Sequence, residues 1–383
     1  MVAWRIEALG AGRVTVPGDA AGRLRGVRPR LVAAMALLAA CWTSGAWSAE
    51  AWYPVTVDVW SPPFNSDHKR ITKSFTPPEA AAKPWRICAS IPHLKDDYWL
   101  AVNFGLVDEA RRLGVSLNLY EAGGYEHLDT QRKQIEDCLA NGAQALVIGA
   151  VSATGLNDLV EKAVAAGVPF IDMINGVSSA KISARVAADF YDMGFAAGAY
   201  VKSIPTAQER PLKVAWFPGP SGAGWVADGD RGFRAALAGS GTTVVDGGFG
   251  DTGLMTQTRL VQQALAANPD IDVIAGTAVT AEAAIQILQK QNLADRIKVV
   301  SYYFGPALSR AIKRGLALAA PSDRQAILAR MAIDQAVNLL EGREIDPHIA
   351  ATIAVVDGAS IESFDLTSSI APIGFHPLFS VGP

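Results

Sequence analysis

From Trp85 onward the chain alternates between two rhythms of apolar positions. Short runs in which nearly every residue is apolar, such as Ala145-Leu146-Val147-Ile148, alternate with longer stretches where apolar residues recur every three or four positions. The short runs predict strands covered on both faces of a sheet, and the longer ones predict amphipathic helices. Strand Arg86–Ile91 leads to helix 98–113, stopped by Gly114, then strand 115–120, helix 130–141, strand 145–149, helix 155–166 and strand 168–174. After Asp189 the pattern restarts. Helix 190–204, strand 212–217, a Gly-rich loop over 218–224, helix 228–238, strand 242–248 and helix 255–268 follow. Strand Val273–Gly276, helix 281–289 and strand Lys298–Ser301 complete the second set, before helix 307–314, strand 316–320 and a long helix over 324–341.

Strands alternating with helices of this length form βαβ units around a parallel sheet. Two consecutive sets of similar size predict an α/β fold of two doubly wound parallel-sheet lobes. Residues 49–83 break the rhythm with Ser61-Pro62-Pro63, Thr76-Pro77-Pro78 and the aromatics Trp52, Tyr53, Trp60 and Phe64, and read as an extended N-terminal arm. Two placements fit that arm, an outward-facing contact surface or packing along the protein's own flank.

Ligands of doubly wound sheets sit beyond the carboxyl ends of the strands. Four of the loops there carry aromatic residues, namely Tyr98 and Trp99, Tyr125, Trp225, and Tyr302 with Tyr303, while Phe190 stands where the first set ends. Aromatic rings at loop tips expose apolar surface unless a ligand or the opposite lobe covers them. Their faces attract a methylated ammonium group, by about 2 kcal/mol or more once it is desolvated. Asp96, just ahead of helix 98–113, suits either a helix N-cap or an acceptor facing a ligand.

Composition narrows the function classes. The 383 residues are 50% hydrophobic with a formal charge of -3; without residues 1–48 the count is 28 basic against 35 acidic, or -7. No Lys/Arg cluster is present to grip phosphates, so nucleic acid is not an expected partner. The five His are scattered, with no metal-ligand spacing. Gly219-Pro220-Ser221-Gly222-Ala223-Gly224 lacks both the Gly-Lys-Ser/Thr ending of a phosphate loop and the spacing of a dinucleotide fold. No nucleophile, base or cofactor motif is supported, so no enzyme activity, cofactor or metal is expected. Residues 1–48 read as a removable export signal, with Arg28 and Arg30 ahead of an apolar run and Ala46-Trp47-Ser48 as a small-x-small site. Leu38-Ala39-Ala40-Cys41 also fits a lipoprotein signal, and either reading places the protein in the periplasm. Cys88 and Cys138 then remain, free to pair in an oxidising compartment or to stay as buried thiols.

The span from Trp85 to Phe379 resembles the type 1 periplasmic binding proteins. The match runs through Leu94-Lys95-Asp96-Asp97-Tyr98-Trp99-Leu100, Glu121-Ala122-Gly123-Gly124-Tyr125, Pro218-Gly219-Pro220, Gly232-Phe233-Arg234-Ala235-Ala236, Asp272-Val273-Ile274-Ala275-Gly276-Thr277-Ala278 and Gly374-Phe375-His376-Pro377. Within that superfamily the chain is most similar to the sensor type that binds trimethylamine N-oxide and reports to a membrane sensor histidine kinase of a two-component system. The resemblance implies a hinge of three crossings near 187–190, 302–305 and 321–324. Lobe 1 would then hold 84–187 plus 305–321, and lobe 2 190–302 plus 324–383. It also implies an aromatic cage of Tyr98, Trp99, Tyr125 and Tyr303, with a tyrosine, tryptophan or backbone donor for the ligand oxygen. Phe190 stands at a cage position that is Trp in the relatives, and Trp225, where they have no aromatic, is expected to supply the missing face. The alternative is a sugar- or small-solute-binding component of an ABC importer. Against a hexose, Ile174-Asn175 stands where sugar binders carry Asp-Arg.

Overall fold

The computed structural model describes residues 51–65 and 68–382, and the segment read as an export signal lies outside them. Two sheets organise these residues. The first places Ser116–Glu121, Arg86–Ile91, Ala145–Ile148, Phe170–Met173, Ala184–Val186 and His348–Ala351 side by side and parallel. The second runs Thr243–Asp246, Lys213–Phe217, Val273–Gly276, Lys298–Ser301 and Ala319–Ser322 in parallel, closed by antiparallel Ala354–Asp357. Helices cover both, as the continuous apolar runs require. This is the α/β two-lobed architecture expected.

The lobe boundaries and crossings implied by the resemblance need correction in several respects. Residues 305–321 do not return to the first lobe, because Val300 pairs with Ala319 in the second sheet. After strand Lys298–Ser301 the chain makes an ordinary βαβ crossover through helix Pro306–Lys313, so no crossing occurs at 302–305. The passage back lies at Asp323 and Arg324, and helix Gln325–Leu340 packs on the first sheet rather than the second. Strand His348–Ala351 belongs to the first sheet and Ala354–Asp357 to the second, so a further crossing falls at 352–353. Helix Gln325–Leu340 is buried along nearly its whole length, packing against both the sheet and helix Asp97–Leu113.

The N-terminal segment is also more ordered than an extended arm. Val55–Trp60 and Arg70–Phe75 form an antiparallel hairpin that extends the first sheet beyond His348–Ala351. Val55, Val57 and Val59 alternate with polar residues, and Val57 and Val59 are buried against the core. Trp60 stacks on His348 with ring centroids 4.0 Å apart. Burial, with Arg185 and Arg70 nearby, pushes that imidazole down to about 3, so it stacks as a neutral ring. At the hairpin's far end His68 and Arg70 both pair with Asp189, and Arg70 also pairs with Asp192. The hairpin thus grips the passage between lobes.

Two helices of the second lobe approach at backbone distance. They are Phe190–Ser203, capped by the Asp189 carboxylate at Tyr191 N–H (3.0 Å), and Gly224–Leu237. A Cβ on Gly194 would lie 2.0 Å from the Gly229 carbonyl oxygen, and one on Gly232 would lie 1.9 Å from that of Tyr191. No Cβ fits at either glycine.

Cys88 on its strand and Cys138 on helix Leu128–Ala140 are joined in a disulfide, with Cα atoms 6.0 Å apart and a sequence separation of 50. Closing a loop of this length removes unfolded-state entropy worth roughly 4 kcal/mol. Reductant is therefore expected to lower the denaturant midpoint by an amount equivalent to about 2–4 kcal/mol. Unchanged midpoints with and without reductant would show that the pair contributes nothing.

Candidate functional site

The loops after the strands converge on one small pocket. Asp96, Tyr98, Trp99, Tyr125, Phe190, Trp225 and Tyr303, all singled out from the sequence, line it together with Ile174, Asn175 and Thr252. Its free space, counted as the volume open to the centre of a water molecule, is ≈ 20 Å³. That exceeds the ~10–15 Å³ needed to seat one water.

Each wall has a local cause. Asp96 caps helix Asp97–Leu113, its carboxylate accepting from Trp99 N–H at 3.1 Å, and this fixes the first turn that presents Tyr98 and Trp99. The cap reading of Asp96 therefore holds, with the carboxyl at the pocket wall, and burial pushes its pKa up. Tyr125 follows strand Ser116–Glu121, and Tyr303 follows Lys298–Ser301. Phe190 opens one helix of the glycine seam. Trp225 lies in the first turn of the other, which begins before the expected Asp228.

The rings meet edge to face or tilted. Tyr98 and Tyr303 centroids are 5.2 Å apart, Tyr98 and Trp99 5.7 Å, and Trp225 stands 6.1 Å from both Phe190 and Tyr125. Burial raises the pKa of Tyr98, Tyr125 and Tyr303 above the usual tyrosine range, so their hydroxyls remain protonated donors.

Tyr302, Thr252, His93 and Asp323 support the cage, and the last three escaped the reading from sequence. Tyr302 was counted among the loop aromatics but faces inward, fully buried, and its hydroxyl donates to the Trp225 carbonyl at 3.0 Å. Thr252 bonds the fully buried His93 at Nε2 (3.1 Å), while His93 Nδ1 accepts from Lys95 N–H at 3.3 Å. Asp323 accepts from the Tyr98 hydroxyl at 2.6 Å and lies in the passage back to the first lobe. The Gly194/Gly198 and Gly229/Gly232 spacings were the available signal for the seam that seats Tyr302.

The chain matches the periplasmic binding protein domain over residues 87–344, and it belongs to that family of ligand-capturing proteins. It is 37% identical over 313 residues to the periplasmic protein TorT of Escherichia coli K12, which covers 82% of this chain and 90% of the relative. Among solved structures, an ABC transporter solute-binding protein from Bradyrhizobium sp. BTAi1 with bound bis-tris is 43% identical, with a TM-score of 0.75, over 87% of this chain and 100% of that one. The complex of the TorS sensor domain with TorT in the presence of trimethylamine N-oxide matches at 29% identity and TM-score 0.69, over 77% of this chain and 99% of the other.

Asp323 makes the site's support sensitive to pH. Burial raises its carboxyl from 3.8 to about 6. The folded chain then holds a proton between those values that the unfolded chain releases, so stability falls as pH rises through that window. Two units correspond to about 3 kcal/mol. Relative to Asp323→Asn, the wild type is expected to lose about that much between pH 4 and pH 7 in denaturant titrations. Parallel pH profiles for the two proteins would refute the assignment.

Proposed function

We propose that this protein is an exported periplasmic receptor that closes on trimethylamine N-oxide, or a similar small methylated amine, and signals its capture to a membrane sensor histidine kinase. The observation that carries the reading is the convergence of aromatic rings from both lobes on one small pocket. A trimethylated nitrogen presents cationic methyl groups that aromatic faces attract, by about 2 kcal/mol or more when water is excluded. The likeness to TorT, and to TorT in complex with the TorS sensor domain, supports the signalling role. Lobe closure around the ligand would shift the population of a kinase-contacting surface, provided the ligand binds the closed state more tightly.

A second reading draws on a different observation. A cleft of ≈ 270 Å³, counted in the same way, adjoins the cage and shares Asp96, Tyr98 and Tyr303 with it. The Bradyrhizobium relative holds bis-tris, a bulkier tertiary amine, and is described as part of an ABC transporter. In this reading the cage takes the nitrogen of a larger amine, the cleft takes its arms, and the protein serves import.

Calorimetric titration of the protein with trimethylamine N-oxide, bis-tris and a hexose separates the two. Tight binding of the N-oxide alone supports the first, and preference for bis-tris supports the second. Hexose binding with neither amine would overturn both. Trp225→Ala is expected to weaken amine binding at least about 10-fold through loss of a cage face, and unchanged affinity would remove Trp225 from the site.

A further inference from the structure

Residues 247–253 follow strand Thr243–Asp246 of the second sheet and lead into helix Leu254–Ala267. They are tied firmly to their own lobe. Gly250 N–H donates to the Gly219 carbonyl at 3.0 Å, and the Gln257 side-chain amide donates to the carbonyls of Gly250 (3.2 Å) and Asp251 (2.8 Å). Gln257 is itself buried and accepts from the Thr280 hydroxyl at 2.7 Å. A segment bonded in this way travels with the second lobe.

Its tip meets the first lobe at two adjacent points. The Thr252 hydroxyl and His93 Nε2 stand 3.1 Å apart, and Lys95 Nζ lies 3.2 Å from an Asp251 carboxylate oxygen. His93 and Lys95 follow strand Arg86–Ile91 of the first sheet. These two are positioned from their own side as well. Lys95 N–H donates to His93 Nδ1 at 3.3 Å, which leaves the ring proton on Nε2, to be donated to Thr252. The Lys95 ammonium also lies 3.7 Å from Glu126 Oε1, a carboxylate of the first lobe. The Lys95 and Asp251 side chains are 37% and 24% exposed, so salt screens their pairing, whereas the His93 and Thr252 contact beside it is buried.

We propose that residues 247–253 are a latch that holds the two lobes together through Asp251 and Thr252, so that its release gates the exchange of ligand. Both contacts join side chains of one lobe directly to those of the other, so their strength does not come from a captured molecule. The inference therefore goes beyond the receptor reading and is independent of what the cage takes. With the latch made, a larger fraction of the protein is closed before a ligand arrives, and apparent affinity rises in proportion to that fraction. Departure of a bound molecule requires the latch to part first. Asp251 is not among the residues lining the pocket, so it acts on exchange through the lobes and not through contact with the ligand.

Asp251→Lys sets a second ammonium against Lys95, and the exchanged pair Lys95→Glu/Asp251→Lys restores opposite charges. Both are compared with the wild type, without ligand, by small-angle X-ray scattering, with thermal melts confirming that each folds. Turning the attraction into a repulsion is expected to lower the closed-to-open ratio about 10-fold, read as a larger radius of gyration. The exchanged pair is expected to return to the compact value. In stopped flow, trimethylamine N-oxide is expected to leave Asp251→Lys about 10-fold faster than the wild type, read from tryptophan fluorescence. If Asp251→Lys fails to fold, Lys95→Glu sets up the same repulsion from the other side. An unchanged radius in the repulsive variant, or equal expansion in the exchanged pair, overturns the latch. Failure of the N-oxide to bind overturns the ammonium reading alone, because the scattering comparison still decides the latch.

Discussion

The cage depends on two helices touching without side chains between them. Gly194 and Gly198 on Phe190–Ser203 face Gly229 and Gly232 on Gly224–Leu237, and a Cβ at any of the four would overlap the partner helix or Tyr302. Because the helices can approach this closely, their first turns bring Phe190 and Trp225 within 6.1 Å of one another. The Tyr302 hydroxyl fits beneath Gly229, where a methyl group would lie 1.9 Å from it, and anchors the Trp225 backbone from below. A single alanine in that seam would push apart two walls of the pocket that it never touches.

The other walls are fixed by polar contacts at chain turns. The Asp96 cap sets Tyr98 and Trp99, and the Asn175 amide holds the Tyr125 hydroxyl. Ile174, a β-branched residue at φ 69°, makes the turn that delivers Asn175, a conformation that costs about 1–3 kcal/mol and persists only where surrounding contacts enforce it. Rings held this way start from fixed orientations. Preorganisation of that kind raises affinity by cutting the entropy lost on binding.

Much of this was legible in the chain, for identifiable reasons. Strands Arg86–Ile91, Val273–Gly276 and Lys298–Ser301 stand where their apolar runs placed them, because a strand covered on both faces leaves an unbroken signal. The seven chosen residues share one pocket, because parallel sheets put the ends of their strands together. The hairpin was hidden by its Pro-rich flanks, although Val55, Val57 and Val59 alternate as a half-buried strand should. The lobes of residues 305–321 and of helix Gln325–Leu340 were misassigned from the resemblance, and local periodicity could not correct this, because strand pairing and helix docking are long-range choices it does not encode. Thr252, Asp323 and His93 are single polar residues whose importance comes only from their neighbours in space.

The hairpin's hold on Asp189 has a mechanical side. Asp189 caps the helix that begins with the cage residue Phe190, and its carboxylate is also held by Arg70, on the outermost strand of the opposite sheet. Swinging the second lobe away must either part these charges or bend the hairpin with them. The edge of the first sheet is thus geared to the wall of the cage, so that any movement of that wall would be levered out to the rim of the protein.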